Sequence, residues 1–82
     1  MTVRLVEDGG IALDGLCPIE DAEVLLQHLL TTPQATVDWR LCEGAHTAVV
    51  QVLILAAPKV LGPPRGEFLG EWVAPLLASL SK

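Results

Sequence analysis

An 82-residue chain that is 51% hydrophobic has the size and composition of one small domain with a packed core, not of a disordered segment. Ten acidic residues stand against five scattered basic ones, Arg4, Arg40, Lys59, Arg65 and Lys82, so there is no positive footprint for nucleic acid or for an anionic membrane surface. The longest apolar run, Val52 to Ala57, is too short for direct membrane insertion, the N-terminus has no signal-peptide pattern, and two cysteines make no disulfide scaffold; a cytoplasmic chain with reduced thiols is expected.

The chain opens with "TVRLVEDGGIALDG", in which Val3, Leu5, Ile11 and Leu13 alternate with polar residues around a turn at Glu7-Asp8-Gly9-Gly10. This predicts a β-hairpin with one buried face. "CPIEDAEVLLQHLLTTP" predicts a helix. Pro18 suits a first helical position, and Glu20, Asp21 and Glu23 favour the positive end of the helix dipole. Ala22, Leu25, Leu26, Leu29 and Leu30 form a core-facing stripe with His28 off it, and Thr31-Thr32-Pro33 ends the helix. "ATVDWR", Ala35 to Arg40, reads as a short strand, parallel to its neighbour because a helix connects the two.

"AHTAVVQVLILAAP" follows, at residues 45–58. Its valines and isoleucine favour a strand, but its length and its position after a strand favour a helix from Thr47 to Ala57. Thr47 then serves as the N-cap and Pro58 as the stop. Val49, Val52, Leu53 and Ala56 would lie on the sheet, leaving Thr47, Val50, Gln51 and Ile54 on another face. Lys59-Val60-Leu61 fits one brief further strand, and "GPPRG" at 62–66 is a loop. In "EFLGEWVAPLLASL", Leu69, Trp72, Val73, Leu76, Leu77 and Leu80 hold helical spacing, and Pro75 predicts a kink near Glu71, whose carbonyl loses its donor. The expected fold class is α/β: a small mixed β-sheet of three to four strands with helices packed against it, in the order β-β-α-β-α-(β)-α.

Chemistry-bearing residues are sparse. Cys17, His28, Cys42 and His46 are metal-ligand types, but there is no C-x-x-C and no paired His, so no metal and no cofactor is expected. A small thiol- or metal-dependent enzyme would have to be built on Cys42 and His46, with no evident third residue to orient the imidazole and no oxyanion loop. "EDGG" and "GPPRG" lack phosphate-cradle spacing. Trp72 lies on its helix's apolar stripe and reads as core; Trp39 suits either the core or an interface.

The element order and three short motifs resemble the STAS family, the anti-sigma-factor-antagonist-like domains. The motifs are Leu13-Asp14-Gly15 at the end of the second strand, Thr36-Val37-Asp38 in the next strand, and His46-Thr47-Ala48-Val49-Val50 opening the second helix. With Gln51-Val52-Leu53 following, the chain looks most like the subset attached to ABC-transporter ATPases in lipid transport. The resemblance covers nearly all of residues 1–82 as one STAS-like domain. It implies a non-enzymatic module of bacterial regulation and signalling that makes a protein–protein interaction through the N-terminus and outer face of its second helix. His46, Thr47, Val50, Gln51 and Ile54 would form the contact, with His46 as a pH-sensitive edge. The implied partner is a kinase-type anti-sigma factor or an ABC-transporter ATPase, and Thr47 stands at the family's phosphorylated position. Two positions depart from the pattern: His46 replaces an Asp that helps receive metal-bound phosphoryl groups, and Val49 replaces a Gly. The rival reading is a self-associating structural subunit, a homodimer covering its own apolar excess.

Overall fold

In a computed structural model, which describes residues 3–6 and 9–80, the expected hairpin forms. β1 (Val3–Leu5) pairs antiparallel with β2 (Ile11–Cys17), Val3 opposite Leu13 and Leu5 opposite Ile11. The Val6 N–H donates to the Gly10 carbonyl at 3.0 Å, and Gly9 takes a positive φ of 88° at the turn. Glu7 and Asp8, the first half of that turn, lie outside the described residues. Val3, Ile11 and Leu13 are buried, but Leu5 is exposed, because it ends a three-residue edge strand.

α1 (Glu20–Thr31) begins two residues after Pro18, whose carbonyl accepts the Asp21 N–H in a tight entry turn. Only Leu25 and Leu29 of the expected stripe are fully buried. Ala22 is half-buried, while Leu26 and Leu30 are exposed. Five apolar positions span more of the helix circumference than the neighbouring elements cover. Asp21, in the first turn, is buried.

β3 (Thr36–Ala45) runs five residues beyond Arg40 and lies parallel to β2. Ala12 faces Asp38 but Asp14 faces Leu41, and Gly15 faces Cys42 but Leu16 faces Gly44. β3 therefore carries two extra residues, each a bulge that reverses which side chains point inward. Strict alternation from Val37 and Trp39 would send Leu41 to the core. Instead Cys42 is buried and Leu41 exposed. Trp39 is core, not an interface anchor.

α2 (Thr47–Ala56) confirms the helical reading, and β4 (Lys59–Leu61) adds to β3 in parallel, giving a four-stranded mixed sheet in the order β1-β2-β3-β4. Between them Ala57 takes a left-handed conformation, φ 48° and ψ 51°, and its N–H closes on the Leu53 carbonyl at 2.8 Å. The following loop folds back over β3, with the N–H groups of Arg65 and Gly66 both donating to the Cys42 carbonyl.

The kink expected from Pro75 takes a definite form. Leu69–Val73 is a π-helical turn leading into α3 (Ala74–Leu80), and the Ala74 N–H bonds the Leu69 carbonyl, five residues back. The hydrogen-bond ladder slips by one residue around the proline that cannot donate. Leu69, Val73 and Leu77 reach the core, whereas Trp72, Leu76 and Leu80 are exposed. Trp72, expected in the core, is 69% exposed.

α2 packs against both α1 and α3, and its buried residues join those of the sheet in one core. The other face of the sheet carries Arg4, Asp14, Asp38 and Arg40, paired as Arg4–Asp14 at 2.7 Å and Arg40–Asp38 at 2.8 Å. Among the described residues no helix is long and apolar enough to cross a membrane.

Candidate functional site

α2 begins where β3 ends, and its entrance is set by hydrogen bonds from both sides. The His46 N–H donates to the Cys17 carbonyl at 2.8 Å, tying the helix entrance to the end of β2. The His46 carbonyl then accepts from Val49 and Val50, at 2.9 and 3.2 Å. His46 has φ −59° and ψ 149°, the extended geometry of a helix cap, and its Nδ1 accepts the Ala48 N–H at 3.0 Å. The N-cap is thus His46, not Thr47. An imidazole nitrogen supplies the acceptor that Ser, Thr, Asp or Asn supplies in most helices. That hydrogen bond requires Nδ1 to be unprotonated and leaves the ring proton on Nε2.

Thr47, relieved of capping, is the first helical residue and is exposed. The other predicted contact residues divide. Gln51 is exposed one turn further on, while Val50 and Ile54 are half-buried and pack partly on the core. Val49, Val52 and Leu53 are buried beneath, as expected; Ala56, expected with them, is exposed. Thr47 and Gln51 are joined by a residue the sequence reading passed over, Leu55, which is 85% exposed. Positions 47, 51 and 55 form one i, i+4, i+8 row, so helical spacing alone would have put Leu55 on this face. Gln51, Ile54 and Leu55 border a shallow, largely apolar depression.

The C-terminal helical segment, from Phe68 through the π-helical turn into α3, carries a second apolar surface. Phe68, Trp72, Leu76 and Leu80 recur every four residues and are all exposed. Trp72, expected in the core from its place on the apolar stripe, stands on this surface instead. The core takes only the Leu69, Val73 and Leu77 row.

Cys42 and His46 do not come together as a thiol–imidazole pair. The Cys42 Sγ lies 3.9 Å from the Cys17 Sγ and donates to the Gly44 carbonyl at 3.4 Å, while His46 is exposed with Nδ1 on the Ala48 N–H. Among the described residues no group of three or more His, Cys, Asp or Glu side chains is arranged to hold a metal ion. On the charged sheet face, hydrogen bonds from the Arg40 guanidinium and backbone N–H hold the Asp38 carboxyl down to about 2. The chain matches no family model, no curated protein and no solved structure.

Proposed function

We propose that the chain is a cytoplasmic protein-interaction module of the anti-sigma-factor-antagonist type, not an enzyme, and that it docks a partner protein on the entrance and outer face of α2. The observation that carries this reading is the Thr47, Gln51, Leu55 row: a hydroxyl, an amide and a fully presented leucine on the central helix, bordering an apolar depression. A leucine 85% exposed on a helix already packed on both flanks has contact area to give a partner. Thr47 and Gln51 supply hydrogen bonds, and Val50 and Ile54 the rigid base from which Leu55 projects.

The reading extends to a switch. A phosphate on Thr47 would sit at the N-terminus of α2, where the helix dipole favours negative charge. The same charge would oppose docking of an apolar partner surface. A kinase-type anti-sigma factor or an ABC-transporter ATPase fits this role, and a bacterial cytoplasm fits the partner.

The test is affinity capture from cells that make the chain, with wild-type and Leu55→Asp baits and mass spectrometry of bound protein and of Thr47. A protein held by the wild type and lost by the variant supports the reading. Identical captures by both baits count against it.

A second reading, self-association, draws on the Phe68, Trp72, Leu76, Leu80 row. Sedimentation at micromolar concentration separates the two. A stable dimer that Trp72→Ser dissolves favours self-association, and a monomer favours the α2 reading.

A further inference from the structure

We propose that Cys17 and Cys42 are an oxidation site, a dithiol that a hydroperoxide converts into a disulfide within the folded chain. The two sulfurs come from adjacent parallel strands and lie 3.9 Å apart, 25 residues distant in sequence. Chance does not bring them there. The register shift between Asp38 and Leu41 turns Cys42 inward, and the second shift, between Cys42 and Gly44, sets Cys17 opposite Ala45; both cysteines are buried in the core. A disulfide bond is about 2.0 Å long, so the two sulfurs, already in contact at 3.9 Å, must close by about 2 Å.

Both cysteines are buried, Cys17 2% and Cys42 0% exposed, so a peroxide enters through an opening of the strand ends beside Cys17. Cys17 borders a shallow depression walled by Leu16, Pro18, Gly44, Ala45 and His46, large enough for a peroxide but lined mainly by apolar atoms. The hydrogen bonding is ordered for the first step. Cys42 donates to the Gly44 carbonyl, which leaves the Cys17 thiol as donor to the Cys42 sulfur. That donation holds the Cys42 thiol below the usual cysteine range, against the opposing effect of burial.

The chemistry balances with one peroxide. A thiolate of the pair attacks one peroxide oxygen, the O–O bond breaks, and the leaving hydroxide takes up the proton as water. The sulfur is now a sulfenic acid. The second sulfur attacks it, the S–S bond forms, the S–O bond breaks, and the second thiol's proton leaves with the hydroxyl as another water. The two sulfurs are oxidised and the peroxide reduced, and a dithiol reductant reverses the change.

The same element bears on α2, because the Cys17 carbonyl anchors the His46 N–H. The site itself stands without any partner on α2, and its test needs none. The full chain is treated with hydrogen peroxide and read by intact mass and by tryptic peptides. The expected result is a loss of about 2 Da, two hydrogens, reversed by dithiothreitol, with residues 5–40 joined to 41–59 of the same chain. Cys42→Ser should abolish that species. Because the cross-link closes a loop of 25 residues and so constrains the unfolded chain, the oxidised chain should also melt about 5 °C or more above the reduced one. Gain of oxygen without the mass loss, linkage only between chains, or a lower melting temperature on oxidation would overturn the proposal.

Discussion

The carbonyl of Cys17 accepts the backbone N–H of His46 at 2.8 Å, so the last residue of β2 fixes where α2 starts. The helix entrance is held from the sheet as well as by its own cap. The two contributions can be separated, because only the cap uses a side chain.

His46→Ala removes the Nδ1 acceptor and leaves the Ala48 N–H without it. The loss should be about 1 kcal/mol, the usual cost of deleting a cap. His46→Asn supplies an equivalent oxygen and should restore most of it. Urea denaturation of the two variants checks this. Equal stability of alanine and asparagine would mean that the cap contributes nothing.

Ala57 stands in the left-handed region, φ 48°, where a Cβ is strained and glycine is not. Ala57→Gly should therefore stabilise the domain by about 0.5–1 kcal/mol, net of the entropy glycine loses on folding. In a chain this short that is a rise of roughly 4 °C in Tm, readable by thermal melting followed by circular dichroism.

Gly66 and Gly70 should answer differently to alanine. A Cβ on Gly66 would collide with the Glu43 backbone carbonyl, at the point where Arg65 and Gly66 are bonded to Cys42. Gly66→Ala should cost about 2 kcal/mol or more, as overpacking against backbone does. A Cβ on Gly70 meets nothing within 4 Å, and alanine there gains helix propensity. Gly70→Ala should be neutral or stabilising in the same urea experiment.

Asp38 sets a pH dependence. Its folded pKa is about 2, held below the ordinary 3.8 by Arg40. A lowered carboxylate pKa means that the unfolded chain binds the proton more readily. The pair's contribution is thus present above about pH 4 and is lost as pH falls toward 2. Both side chains reach solvent, so the loss should be small. Asp38→Asn should flatten that part of the stability–pH curve, measured by denaturant unfolding between pH 4 and pH 2.

The fold was legible where one physical rule acted alone. The hairpin alternation, the spacing of Leu25 and Leu29, and the length of the Thr47–Ala56 segment each led to the right element. The second half of β3 was hidden because its bulges break the alternation at Arg40 and Leu41, the residues where the eye stops a strand. The apolar excess hid the surface. With leucine at 26, 30, 55, 76 and 80, hydrophobicity could not say which rows the sheet would cover, and Trp72 went to the wrong side. Of the candidate site, the exposed position of Thr47 was readable. The capping role of His46 was not, because imidazole is an uncommon cap. The meeting of Cys17 and Cys42 depends on strand register, which no local pattern encodes.

The proposed docking face of α2 is tested most directly by titrating a protein captured by the wild type against wild-type and Thr47→Glu chains, with Tm measured alongside. The account predicts an affinity at least about tenfold weaker for the variant, a change of about 1.4 kcal/mol, with the melting temperature essentially unmoved. Equal affinities for the two chains would contradict it.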